Sequence, residues 1–372
     1  MKAKGPLLLL ITAVLWGMAF VAQTTAADAV GPFTFNASRN VVGAVFLSGV
    51  IAWRKRSGQD KPPVVACQPT SWSTATGQST HGRPTGSPAA SQHVVQPVTQ
   101  SAAQTASSQS AGRLAASQSA AAQPAAQLTA QPATPSGYTK RTLLVAGFLC
   151  GIALCIASFL QQAGITAYPP EAATSSRSGF VTATYMVMVA VLGVFLGKRL
   201  HPLVIAAVAI ALLGMYLLCV PDGLQNVYLG DWLVLGSALG YAIHILIIDC
   251  YTAVDGVRLS RVQLLTAGGI SIVCAFLFEQ PDPAAILVAL VPILYAGICS
   301  DGIAYTLQII GQQSTDPTVA SIIMSLESVF AAIGGWIILS ESLSAVELLG
   351  CLLVFAAVLF AQVPDFTRKK EA

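Results

Sequence analysis

Charge is scarce in this chain. Asp, Glu, Lys and Arg make up only 9% of 372 residues, where soluble domains carry about 25%. That excludes an ordinary water-soluble globular fold. The eight cysteines form no C-x-x-C pair and no cluster with histidine. All but Cys67 lie in or at the ends of apolar runs, so they read as small buried side chains, not as a disulfide framework or a metal site. No G-x-x-x-x-G-K-[ST] loop occurs, which leaves no phosphate cradle for an ATP-driven machine. No cofactor site is expected.

Apolar residues dominate instead, at 54%. They come in long runs, not in periodic stripes, which predicts an all-α polytopic membrane protein. A span needs about 20 residues, at about 1.5 Å rise each through about 30 Å of hydrocarbon. Ten spans are expected, near 6–26, 33–53, 142–163, 177–197, 202–220, 230–250, 262–279, 285–310, 317–339 and 343–363. The first resembles a signal peptide in its Lys2 and Lys4, but its length and the span that follows at once mark it as a true helix. Residues 57–139 are rich in Ser, Ala, Gln, Thr and Pro and almost lack Leu, Ile and Phe. They read as a disordered cytoplasmic linker, either a neutral insertion or a regulatory arm.

The basic residues set an orientation. With the N-terminus inside, 17 of the 19 Lys and Arg fall in cytoplasmic segments. Only Arg39 and Arg177 remain, both at or inside spans. Acidic residues such as Asp28, Glu279, Asp282 and Glu341 mark the outer loops. This positive-inside pattern places both termini in the cytoplasm, with the plasma (inner) membrane as the expected location. Topology thus accounts for the net charge of +3, and nucleic acid is not an expected partner.

Ser178 to Leu200 (SGFVTATYMVMVAVLGVFLGKRL) aligns with Ser321 to Leu343 (SIIMSLESVFAAIGGWIILSESL). Thr182 then meets Ser325, Thr184 meets Glu327 and Lys198 meets Glu341. A weaker echo joins Leu15-Trp16-Gly17 to Leu239-Gly240-Tyr241. Ten spans divide into five and five, and an odd number per unit turns the halves over. Two inverted five-helix repeats are expected. The division is 1–56 for the first two helices, 57–139 for the linker, 140–220 for the rest of repeat one, 229–363 for repeat two and 364–372 for a cytoplasmic tail.

Charged and polar groups inside spans mark candidate function, because burying them in a bilayer is costly. Arg39 shares a face of span two with Asn36, Asn40 and Gly43. It could hold a substrate carboxylate or phosphate bidentately, or serve structure by capping carbonyls. Asp301 in span eight is followed by Tyr305, Gln308 and Gln312 at +4, +7 and +11, a stripe suited to a cavity lining or to interhelical hydrogen bonding. Pro292 should kink that helix. Glu327 in span nine is a candidate coupling charge, or an ion-pair partner for Arg39 or Arg177. His244 reads as a core histidine before a proton relay. Trp16, Phe20 and Gln23 share a face of span one, where Trp16 either packs or flanks substrate. The G-x-x-x-G pairs Gly147/Gly151, Gly193/Gly197 and Gly236/Gly240 indicate close helix packing.

The strings Val14-Leu15-Trp16-Gly17-Met18-Ala19-Phe20, Arg39 in span two, Ala320 to Ala332 (ASIIMSLESVFAA), Gly335-Trp336 and Ser340-Glu341-Ser342-Leu343 together resemble the drug/metabolite transporter superfamily. Within it they resemble the EamA-type carriers, over nearly the whole chain outside 57–139. The resemblance implies ten helices in two inverted repeats around a central cavity, and transport of small metabolites, often amino acids. Family members usually carry Pro where this chain has Ser328, and Glu where it has Lys198.

The expected function is a secondary carrier of a small polar organic metabolite, working by alternating access as a monomer or homodimer in the lipid bilayer. Arg39, Trp16, Tyr305 and Gln308 would bind substrate, with Glu327 or Asp301 as coupling or gating charge. No catalytic or metal-ligating residues are expected. The alternatives are a non-transporting sensor or scaffold, or an intramembrane aspartyl enzyme. Asp301 and Asp249 sit at different depths, and Ile298-Cys299-Ser300 before Asp301 lacks the Gly-x-Gly-Asp pattern such proteases share.

Overall fold

The computed structural model describes residues 4–59, 138–169, 172–198, 201–219, 227–341 and 344–368. It separates Met1–Cys67 with Pro135–Ala372 from a second unit, Gln68–Thr134. The expected linker falls almost wholly on residues 60–137, outside the described residues, as do Arg199, Leu200, Ser342, Leu343 and the end of the tail.

The described residues are helical and include no strand. The helices are α1 (Lys4–Ala27), α2 (Pro32–Arg56), α3 (Lys140–Thr166), α4 (Thr174–Ala183), α5 (Tyr185–Phe195), α6 (Pro202–Cys219), α7 (Leu229–Cys250), α8 (Gly256–Phe278), α9 (Pro283–Val288) and α10 (Leu290–Tyr295). A π-helical turn, Ala296–Ala304, leads into α11 (Tyr305–Gln312), followed by α12 (Pro317–Met324), α13 (Glu327–Ile338) and α14 (Ala345–Arg368). Among the described residues, eight helical stretches are long and apolar enough to cross a membrane, with α4–α5, α10–α11 and α12–α13 each counting as one stretch. The apolar parts of α6 and α14 are shorter, Pro202–Gly214 and Leu348–Ala361. The chain is therefore a multi-pass membrane protein, helical among the described residues. Large apolar side chains point outward, with Phe195 83% and Val291 76% exposed. In water that surface would be costly; hydrocarbon is its natural cover.

Local chemistry sets the helix starts. Asp255 accepts the N–H of Arg258 at 2.9 Å, and Asp316 that of Thr318 at 2.8 Å. Such caps satisfy donors that a first turn leaves orphaned. The Asp255 cap starts α8 at Gly256, earlier than the apolar run from residue 262 indicates. Pro292 does break its span, at Ala289 between α9 and α10, where the ring disfavours a regular preceding turn. Of the G-x-x-x-G pairs, Gly147 and Gly151 pack on Val262 and Thr266 of α8. Gly197 does not pack at all: it leaves α5 with φ +81° and open space beside it.

Three spans are irregular in their middles. The α4–α5 span breaks at Thr184, whose hydroxyl donates to the Val181 carbonyl at 2.6 Å. The α12–α13 span breaks at Ser325 and Leu326, where the Ser325 hydroxyl donates to Ile322 and that of Ser328 to Ser325, each at 2.7 Å. Back-bonding of this kind competes with the helix ladder and bends it. The third is the π turn. All three irregularities lie beside one cavity.

Candidate functional site

The cavity is a partly open cleft among α1, α2, α3, α4, α5, α7, the π turn, α11 and α13, with about 420 Å³ of empty space when its open mouth is counted.

Helix α1 presents Trp16, Phe20 and Gln23 to it. A glycine sets their distance from α13: a Cβ on Gly17 would lie 2.7 Å from the Glu327 carbonyl and 2.3 Å from Phe330 Cβ. Any larger residue would push α1 away and separate Trp16 from Glu327.

Helix α2 brings Arg39, only 3% exposed. Its Nε stands 3.6 Å from Oδ2 of Asp301, itself 1% exposed. That distance is too long for a hydrogen bond, and neither Arg39 Nε nor either Asp301 oxygen has a hydrogen-bond partner among the described residues. The guanidinium lies over the Phe35 ring at 5.6 Å and beside Tyr241. Two glycines let the backbones meet here. A Cβ on Gly43 would be 2.7 Å from the Gly297 carbonyl, and one on Gly297 would be 2.7 Å from the Arg39 carbonyl. The sequence left Glu327 open as a partner for Arg39 or Arg177. The structure pairs Arg39 with Asp301, and Arg177 with Asp231 at 2.7 Å.

The stripe expected on span eight is divided. Its spacing assumed 3.6 residues per turn, and the π turn is wider. Tyr305 and Gln308 line the cavity, while Asp301 sits behind Arg39 and is not part of the lining. Gln312 donates instead to the Ile245 carbonyl at 3.1 Å. Tyr305 contacts Trp16 edge-on, with centroids 5.0 Å apart, and His244 at 5.7 Å. His244 lines the cavity too, its Nε2 3.0 Å from Gln263 Oε1.

Glu327, 3% exposed, opens α13 at the break in its span. The Tyr185 ring, at the matching break between α4 and α5, lies next to it. A polar chain completes the wall: Tyr241 donates to Gln161 Oε1 at 3.1 Å, and Gln161 Nε2 donates to Thr182 at 3.0 Å. Tyr185, Tyr241 and Gln161 were not singled out from the sequence. Gln161 had a legible signal, a polar residue inside an apolar run. The tyrosines had none, because tyrosine is common in spans for packing.

Several buried polar atoms of the lining have no hydrogen-bond partner among the described residues: Trp16 Nε1, Gln23 Oε1, His244 Nδ1 and Gln308 Oε1; Glu327 and Tyr185 have each other as polar neighbours. Buried polar groups are usually paired, so a cluster of unpaired ones converging on an aromatic-walled cavity suits a polar guest. No group of three or more His, Cys, Asp or Glu able to hold a metal occurs among the described residues.

The model of the EamA-like transporter family matches residues 3–72 and 228–362. An uncharacterized transporter of Archaeoglobus fulgidus is 26% identical over 223 residues, which cover 58% of this chain and 68% of that protein. A solved crystal structure, described only as that of a protein, superposes with a TM-score of 0.63 at 15% identity, covering 100% of both chains. That likeness concerns the fold alone.

Proposed function

The chain belongs to the EamA-like transporter family and is a membrane transporter, not an enzyme; we propose that it is a secondary carrier of a small polar organic metabolite, an amino acid or similar. The observation that carries this reading is the convergence of unpaired buried polar atoms on a cavity between the two ends of the helical bundle. Arg39, Trp16, Tyr305 and Gln308 bind the substrate. A substrate carboxylate meets the Arg39 guanidinium, for which Asp301 is the resident counter-charge. Glu327 is the coupling charge.

Alternating access would rock the halves against each other around this cavity. We further propose ten spans, adding α6 and α14, which pack on each other, to the eight long ones. They form two inverted five-helix repeats, with the 57–139 linker inserted between the second and third helices of the first. The breaks at Thr184 and at Ser325–Leu326, within two residues of each other in the internal alignment, support this. The basic end of the bundle faces the cytoplasm of the inner membrane, with both termini inside. The assembly is a monomer or homodimer.

Reconstitution tests the reading. Proteoliposomes screened with a panel of labelled metabolites should accumulate at least one of them under an imposed gradient. Arg39→Lys should cut that flux by about tenfold or more, since a point charge replaces a planar fork. Glu327→Gln should abolish gradient-driven accumulation and leave substrate exchange intact. No flux across the panel, or wild-type flux in both variants, overturns it.

A further inference from the structure

Outside the cavity, the most unusual surface is a basic corner where three helices end. Helix α2 finishes in Arg54-Lys55-Arg56, helix α3 starts with Lys140 and Arg141, and helix α8 carries Arg258 and Arg261 in its first two turns. Helix α8 packs against both others. Its Gly268 lies on Asn40 of α2, while Gly147 and Gly151 of α3 lie on its Val262 and Thr266.

Among the described residues, the acid at this corner is already engaged. Asp255 holds Arg54 at 3.2 Å and caps the N–H of Arg258 at 2.9 Å. Arg258 also reaches the Tyr138 hydroxyl at 3.3 Å. Lys55, Arg56, Lys140 and Arg141 are exposed, and Arg261 is half-buried with its Nε fully covered and without a hydrogen-bond partner.

Helix geometry shows what lies beneath these charges. At about 100° per residue, Arg258, Arg261, Leu265 and Ile272 fall within about 60° of one another. That stripe occupies the arc between the face of α8 that meets α2 and the face that meets α3. It points outward, away from Gln263 and the cavity, and Leu265 is 54% exposed. Trp53, at 60% exposure beside the basic turn of α2, is the kind of aromatic that sits at the headgroup level. The corner therefore offers cations at the interface and an apolar track leading from them into the hydrocarbon.

We propose that this α2–α3–α8 corner is a binding site for an anionic phospholipid. Its phosphate lies among Arg261, Lys140 and Arg141, and an acyl chain runs along Leu265 and Ile272. The charge pattern selects the occupant: basic pockets between spans favour acidic headgroups, and the apolar stripe favours a lipid over a free anion. The site is separate from the transport cavity, and its occupancy does not depend on what the protein carries.

Delipidated full-length protein in detergent tests this, with thermal unfolding and native mass spectrometry as readouts. Phosphatidylglycerol should raise Tm and remain bound, whereas phosphatidylcholine and inorganic phosphate should do neither. The Arg261→Gln/Lys140→Gln/Arg141→Gln variant should bind phosphatidylglycerol about tenfold more weakly or worse, with transport in neutral-lipid vesicles as in wild type. Lys140→Gln/Arg141→Gln alone, confined to exposed side chains, should show a smaller loss and guards against a folding defect in the triple variant. Equal stabilisation by both lipids, stabilisation by phosphate alone, or undiminished binding in both variants overturns the proposal.

Discussion

Both ends of the bundle carry side-chain ion pairs, Arg177 with Asp231 at one and Arg54 with Asp255 at the other, but they differ in how two of their helix starts are held. At one end, carboxylates reach across to helix starts that lack caps of their own. Gly31 and Ala173, which precede α2 and α4, offer no capping side chain. Glu279 fills the first gap, accepting the N–H groups of Phe33 and Thr34 at 2.7 Å each and the Thr34 hydroxyl at 2.8 Å. Glu341 fills the second, accepting from Ser175 at 3.0 Å, Ser176 at 3.2 Å and the Ser176 hydroxyl. At the other end, α8 and α12 are capped by their own Asp255 and Asp316. Cross-links there are side-chain ion pairs, Arg54 with Asp255 at 3.2 Å and Lys198 with Asp249 at 2.5 Å.

The difference is energetic. A carboxylate on a helix start satisfies orphan donors and meets the positive end of the helix dipole. Removing it strands those donors at a cost of about 1–3 kcal/mol for each one that is buried. An ion pair whose groups keep some contact with water is worth about 0–1 kcal/mol. The Lys198–Asp249 pair is 23% exposed on both sides, so water can replace much of it. Lys198 and Glu341 occupy matching positions in the internal alignment, yet one makes a side-chain pair and the other holds a helix start. A reversal of sign at one position thus separates a weak tie from a strong one.

The largest effect is expected from Glu279→Ala combined with Glu341→Ala. It should lower Tm in detergent most, by more than any pair of changes at the opposite end. Glu341→Gln alone comes next. Its amide oxygen still accepts from one donor while its NH₂ faces the other, so about half the loss of Glu341→Ala should appear in the same measurement. Asp255 separates two roles: Asp255→Asn keeps a capping oxygen and loses the Arg54 pair, so it should cost less than Asp255→Ala, for which a lost cap adds about 0.5–2 kcal/mol. The smallest effect is expected at Lys198. Lys198→Gln, Asp249→Asn and their double variant should show a coupling within about 1 kcal/mol in a double-mutant cycle. A Lys198 coupling as large as the Glu341 loss would break the comparison.

Much of this was legible locally. An apolar run long enough to span needs no partner to be recognised, and the eight long stretches follow those runs, apart from shifts at capped starts such as Gly256. Trp16, Arg39, Tyr305, Gln308 and Glu327 stood out as polar or aromatic groups in apolar surroundings, and the structure places all five on one cavity. Asp301 stood out for the same reason but lies behind Arg39, because the π turn from Ala296 to Ala304 changes the register that a regular helix predicts. Tyr185 and Tyr241 were silent, since nothing local distinguishes a cavity tyrosine from a packing one.

The sequence by itself determined the membrane class, the eight long apolar stretches and which residues are costly to bury. Each depends on a side chain and its near neighbours, and on the one solvent the apolar runs allow. Tertiary structure decided the pairings: Arg39 with Asp301, Arg177 with Asp231, and Glu279 with a helix start 245 residues away. A carboxylate does not encode its partner. Which donor it meets is set by how the helices cross, and at the site that is decided by how closely Gly17, Gly43 and Gly297 let their backbones approach.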